Sequence, residues 1–220
     1  MSMKSSFFLI SAFFLCIFSH PVWSQSKITI DMGKFKCYDK PNEALRKSET
    51  IEAFQLMSTI FSSKEFQDSL ANLEFPMSTL CTDCGTGMGA GKTKITGKDI
   101  MAMLFRRNAD ILDLVLKEKS SALGETYMCS ALTTAYYKNI EKDMCHLPAA
   151  TRLAVNLCHE YMHRLGFCHH YELDETTLRL IVQGDSCRTE YFDPKAYNRD
   201  LAYRVGWIAY DIVKRPYAKK

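Results

Sequence analysis

Pro148-Ala149-Ala150-Thr151-Arg152-Leu153-Ala154-Val155-Asn156-Leu157-Cys158-His159-Glu160-Tyr161-Met162-His163-Arg164-Leu165-Gly166-Phe167-Cys168-His169 reads as a strong helix followed by a sharp turn. Pro148 stands where a first helical turn tolerates proline, and Ala149 to Leu165 continues the helix. Gly166 suits its end, because glycine takes the left-handed conformation without a Cβ clash. His159 and His163, four residues apart, lie on one helical face, one turn apart, where two imidazoles can share a metal. Beyond the glycine the chain turns back, and His169 can supply a third ligand. Three protein ligands and a water form a catalytic zinc site rather than a closed structural one. Glu160 follows the first ligand, so its carboxylate can reach a water whose pKa zinc lowers to about 7.

Outward from this helix the pattern alternates between helix and strand. Lys27 to Tyr38, with Ile28, Ile30 and Met32, suits a short strand. A helix follows from Glu43 to about Phe61, with Asn42 as its expected cap and Leu45, Ile51, Phe54, Met57 and Phe61 as its apolar stripe. Ser62-Ser63-Lys64-Glu65 resembles a capping box for a further helix carrying Phe66, Leu70 and Leu73. Pro76 to Gly97 reads as a loop, glycine-rich and holding Cys81-Thr82-Asp83-Cys84. Lys98 to about Arg107 suits a helix, and Asp110 to Lys117 alternates as a strand. Gly124 to Cys129 and Leu132 to Tyr137 are rich in Thr and Tyr and suit strands. Leu173 to Val182 fits helix or strand equally. Asn198 to Lys214 suits a C-terminal helix with Leu201, Val205, Ile208 and Ile212 on one face. The expected class is α+β (mixed α/β): a small mixed sheet with a backing helix, an active-site helix and a C-terminal helix.

The 220 residues fit one ordinary domain, and 47% hydrophobic with 24% charged residues is a globular composition. We divide the chain into a signal peptide, 1–24, and one domain, 25–220, whose Cys/Gly-rich loop separates an N-terminal helical part, 25–97, from a catalytic part, 98–220. Met1 to Lys4 carries a positive charge, and Phe7 to Phe18 is apolar but shorter than the roughly twenty residues of a membrane span. Cleavage is expected after Ser24, leaving a secreted or periplasmic protein without a stable membrane span. A net charge of +3 is too small to argue for nucleic acid or an anionic membrane surface, so no nucleic-acid partner is expected. Of nine cysteines, Cys16 falls in the signal and eight remain. In an exported chain these read as up to four disulfides of undetermined pairing. Disulfides are also the expected state of Cys158 and Cys168, which flank the ligands, and of Cys81 and Cys84. A latency loop, with Cys84 on the zinc, is disfavoured by the even count.

By composition a bare His-Glu-x-x-His arises by chance in about one in two hundred chains of this size, and the fixed Gly and third His lower that about a thousandfold. The segment resembles the metzincin clan of zinc endopeptidases, whose signature His-Glu-x-x-His-x-x-Gly-x-x-His is met by His159, Glu160, His163, Gly166 and His169. Leu123-Gly124-Glu125-Thr126-Tyr127, Asn139 and Tyr203-Arg204-Val205-Gly206 resemble small exported bacterial members. The resemblance implies a zincin-like domain, one catalytic Zn2+ held by the three histidines, and a protein or peptide substrate. One departure stands out: metzincins carry a methionine turn after the third His, and no methionine follows Met162. Leu201-Ala202-Tyr203 is the nearest substitute. Leu201 would form the apolar floor and Tyr203 an oxyanion partner, with Tyr191 and Tyr197 as competitors. His170 competes with His169 as third ligand, though the Gly-x-x-His offset favours His169; His146 reads as an ordinary histidine.

The expected function is a secreted zinc endopeptidase with Glu160 as general base and Tyr203 assisting, its substrate extended along an edge strand near Leu132 to Tyr137. The alternatives are an exported zinc-binding or interaction protein without turnover, and a zinc amidase acting on a non-protein amide.

Overall fold

A computed structural model describes residues 26–85, 87–88, 91–120, 122–142, 146–169 and 200–217. The expected signal segment, the Leu173 to Val182 segment, His170, Tyr191, Tyr197, Cys145 and Cys187 lie outside the described residues. β1 (Thr29–Cys37) buries Ile30 between exposed neighbours, as its alternation requires. The backbone amides of Ile28 and Ile30 donate to the Ser62 and Ser58 hydroxyls, at 3.1 and 2.8 Å, which seats α1 (Glu43–Ser62) along the strand. The buried face of α1 is Thr50, Ala53, Phe54, Met57, Ile60 and Phe61. The expected stripe is therefore rotated. Leu45 and Ile51 are 55% and 43% exposed, because the sheet and the metal-site helix meet only one side of α1. Asn42 precedes α1, but its amide donates back to Asp39 instead of capping. Ser63 caps α2 (Lys64–Ala71) by accepting from Phe66 N at 3.1 Å. The cap thus falls one residue beyond Ser62, and a box partner would be Phe66, which has no carboxylate.

The Pro76 to Gly97 segment is not all loop. Its flanks pair antiparallel as β2 (Glu74–Pro76) and β3 (Lys94–Thr96). A full capping box, Thr96 with Asp99, then starts α3 (Gly97–Leu104). β4 (Ala109–Lys117) buries Leu112, Leu114 and Leu116 on alternate positions. β5 (Gly124–Thr126) and β6 (Leu132–Tyr136) form a short hairpin, and β6 runs directly into α4 (Tyr137–Lys142), a helix too short to leave a periodic signal. The metal-site helix is α5 (Ala149–Arg164), and α6 (Leu201–Lys214) closes the described fold.

The main sheet has the order β1-β4-β6-β5, with β1, β4 and β6 parallel and β5 antiparallel to β6. This corrects the edge-strand assignment: β6 is paired on both sides, and the edge nearest the histidines is β5. Among the described residues, six helices with this small mixed sheet, plus the two-stranded β2–β3 ribbon, form a mixed α/β fold. α5 lies between α1, α6 and the sheet, so twelve of its residues are buried. Its C-terminal end is fastened to β4. Arg164 donates to both Asp110 oxygens, at 2.6 and 2.8 Å, and the Tyr161 hydroxyl donates to Asp110 at 2.7 Å. Leu201, Val205 and Ile208 of α6 are buried, as the C-terminal stripe predicts, while Ile212, its fourth member, is half-buried.

Candidate metal centre

The last turn of α5 ends in a Schellman motif. Gly166 N donates to the His163 carbonyl at 2.9 Å and Phe167 N to the Met162 carbonyl at 3.1 Å, with Gly166 at φ 99°. The turn is closed on its outer side too. A Cβ on Gly166 would collide with the Thr82 carbonyl oxygen and lie 2.9 Å from Cys84 Sγ, so only glycine fits on both counts. The reversal carries His169 back over α5, and one ligand-capable atom from each of His159, His163 and His169 lies within 4.8 Å of the others. The three rings pack at centroid distances of 5.1, 5.2 and 4.7 Å.

Two of the three rings are oriented by an acceptor. His163 Nδ1 is 2.7 Å from the Phe167 carbonyl oxygen, so that nitrogen carries the proton and Nε2 is left with its lone pair. His169 Nδ1 is 3.0 Å from Oδ2 of the buried Asp200. Acceptors behind the imidazoles are the arrangement that fixes the tautomer of metal-binding histidines. Burial, followed by the neighbouring imidazoles, pushes His159 well below the ordinary histidine range, and burial also lowers His163. Both rings are thus held neutral, the form that binds metal. The described residues can hold a metal ion here, and three imidazole nitrogens are a donor set suited to a transition metal.

Glu160 is 3% exposed, and Oε2 of its carboxylate has no protein hydrogen-bond partner. Burial raises its pKa to about 7, against a hydrogen bond from Thr126 and the His169 charge, which lower it. It faces the edge strand: a Cβ on Gly124 would sit 2.6 Å from both Glu160 Oε1 and Asn156 Nδ2. Only the bare backbone of Gly124 lets β5 lie this close to α5. Tyr203 joins the same cluster. Its ring stacks on His169 at 4.7 Å and 29° and meets His159 edge-on at 4.8 Å. Burial, then the Asp200 and Glu160 charges, raises its hydroxyl to about 12.

All five site residues singled out in the sequence therefore lie together, and Leu201 and Ala202 are fully buried at the start of α6. His146 lies elsewhere, its Nε2 3.3 Å from the Tyr210 hydroxyl. Sequence reasoning missed Asp200, Asn156 and Gly124. An aspartate directly before the apolar run of α6 carries the N-cap signature, and that signal was legible.

The cysteines differ in part from expectation. Cys168 pairs with Cys81 and Cys84 with Cys129, with Cα–Cα distances of 5.7 and 5.3 Å. Cys81 and Cys84 thus each bond elsewhere, and the disulfide keeps Cys84 off the metal. Cys158 is a free thiol in the core, as is Cys37, because the Cys158 side chain points from α5 into packed apolar residues. Two disulfides suit an oxidising, extracellular environment. No described helix is long and apolar enough to cross a membrane. No protein-family model matches the chain, and neither a curated protein nor a solved structure is significantly similar to it.

Proposed function

We propose that this chain is an exported, metzincin-like zinc endopeptidase, released after removal of residues 1–24. One observation carries the reading: three imidazoles, two of them with Nδ1 on an acceptor, converge beside a buried carboxylate that has an unpartnered oxygen. His159, His163 and His169 would hold the zinc, which supplies Lewis acidity and water activation when bound. Glu160, poised near neutrality, takes the proton of the attacking water and returns it to the leaving amine. The Tyr203 hydroxyl, kept protonated by burial, donates to the oxyanion as it develops. An extended peptide would add to β5, an end strand of the sheet among the described residues, beside Glu160.

The test is to purify the oxidised, exported protein, measure zinc per chain, and compare peptide-library cleavage by the wild type and Glu160→Ala. One zinc per chain with cleavage abolished in the variant supports the proposal. One zinc with no cleavage by either protein favours a binding protein or an amidase for a non-protein amide. Cleavage that survives in the variant overturns the mechanism.

A further inference from the structure

The loop holding Cys81 and Cys84 grips the reversal after α5 at several points. Cys81 N and Thr82 N both donate to the Gly166 carbonyl, at 3.0 and 3.2 Å, and Cys168 N donates to the Thr79 carbonyl at 3.0 Å. Leu80 and Phe167 form an isolated antiparallel bridge. Its two sulfurs then diverge. Cys81 bonds Cys168, the residue directly before His169. Cys84 bonds Cys129, whose amide is 3.4 Å from the His163 carbonyl and whose φ of 64° is left-handed. One loop thus staples the third-ligand segment on one side and the β5–β6 turn on the other. Cys81 and Cys129 are exposed, and Cys84 and Cys168 are half-buried, so a small thiol can reach both bonds.

Cys81 and Cys84 are also a Cys-x-x-Cys pair, a spacing that forms a disulfide of its own. We propose that the two staples are a redox-operated clamp on the third metal ligand, opened as a unit when a dithiol reductant drives Cys84 onto Cys81; the coupling to metal rests on the reading of the three histidines as a metal site. A thiolate of the dithiol attacks the exposed Cys129 sulfur, and Cys84 leaves as a thiolate. The second thiol of the reductant closes its own disulfide and releases Cys129 as a thiol. The Cys84 thiolate then attacks Cys81; the Cys81–Cys84 bond forms, the Cys81–Cys168 bond breaks, and Cys168 leaves and takes a proton. Two protein disulfides become one disulfide and two thiols, and one dithiol becomes a disulfide. Two electrons therefore release both staples, where independent reduction needs four. His169 then keeps its Asp200 bond and its stacking on Tyr203 but loses the covalent staple beside it.

The full exported chain is titrated with dithiothreitol, quenched with iodoacetamide, freed of reductant, mapped by peptide mass spectrometry, and assayed for zinc affinity against a chromophoric chelator. The expected product is a Cys81–Cys84 peptide with alkylated Cys129 and Cys168, and zinc affinity lower by about tenfold or more, the scale of losing a ligand's supporting contacts. In Cys84→Ser the relay is blocked, so Cys81–Cys168 survives the dithiothreitol concentration that opens it in the wild type. In Cys129→Ser the Cys84 thiol is free from the start, and Cys81–Cys84 forms without reductant. Separate reduction of the two disulfides, with no Cys81–Cys84 species in wild type or Cys129→Ser, overturns the relay. A Cys81–Cys84 product with unchanged zinc affinity overturns the clamp. Oxidised protein that binds no zinc overturns the metal reading and the clamp with it, while the peptide map, which needs no metal, still decides the exchange.

Discussion

Asp200 serves His169 and α6 at once: Oδ2 lies 3.0 Å from His169 Nδ1, and Oδ1 accepts from Tyr203 N at 3.1 Å. The carboxylate is fully buried, and both of these bonds orient it. The helix that presents Tyr203 and the ring of the third ligand are thereby fixed by one side chain. Asp200→Ser separates the two roles, because serine still caps a helix but is too short to reach the imidazole. We expect folding stability within about 1 kcal/mol of wild type, since the cap persists. We expect zinc affinity to fall about 10- to 100-fold, since the acceptor behind His169 is gone. Chelator competition and urea denaturation read the two effects separately, and unchanged zinc affinity would remove Asp200 from the site.

Gly124→Ala tests how closely the edge strand must approach α5. The added methyl would stand 2.6 Å from Glu160 Oε1 and Asn156 Nδ2, and both belong to buried side chains on a packed helix. Something must move. Overpacking of this kind costs about 1–3 kcal/mol, which a urea midpoint will register. Glu160 is displaced by the same step, so turnover should fall more than zinc affinity, because the atoms nearest the added methyl belong to Glu160 and Asn156 and not to an imidazole. A variant of wild-type stability would show that β5 can retreat without cost.

The difference between what was legible and what was not follows from the range of the interactions. His159 and His163 are related by one helical turn, and Gly166 with His169 by a local backbone motif, so a window of eleven residues contains all three histidines of the candidate site. The strands β1 and β4 were legible by alternation for the same reason. Which strand of the β5–β6 hairpin pairs with β4 is a tertiary choice between two short Thr-bearing segments, and the order came out reversed from expectation. The cysteine pairing is similarly non-local. Cys81 and Cys168 are 87 residues apart and meet only because the loop wraps the Gly166 turn. Leu45 and Ile51 looked like core because helical spacing does not show which side of α1 will meet the sheet.

Asp110 ties α5 to β4, and this gives a stability change with pH. Its burial alone would raise the pKa, but hydrogen bonds from Arg164 and Tyr161 outweigh that and hold it below the usual carboxylate range. A depressed folded-state pKa contributes stability that is fully present above the unfolded value, about 3.9, and is lost as pH falls through the folded value. Asp110→Asn should therefore cost about 1–3 kcal/mol at pH 7, as charged hydrogen bonds are replaced by neutral ones. The gap between the proteins should narrow below about pH 4, as the wild-type carboxylate itself becomes protonated. Urea midpoints at pH 7 and pH 3 check this. A gap that stays constant would assign the loss to packing instead of charge.

Tyr203 is the residue on which the divergence from the metzincin pattern turns. Its ring stacks on His169, and that contact alone would explain its presence as packing. Its hydroxyl is what a catalytic role requires, and Tyr203→Phe removes the hydroxyl while keeping the ring. If the hydroxyl donates to a developing oxyanion, turnover should fall about 10²–10³-fold, the scale set by single oxyanion donors, with zinc affinity unchanged. The loss should appear in kcat more than in KM, because the charge develops only in the transition state. Equal turnover by Tyr203→Phe, with Tyr203→Ala destabilised, would reassign the side chain to supporting the His169 ring. That outcome would leave Glu160 as the only proton-transferring group among the described residues of the centre. The three-histidine site would stand, but the proposed mechanism would lose its oxyanion donor.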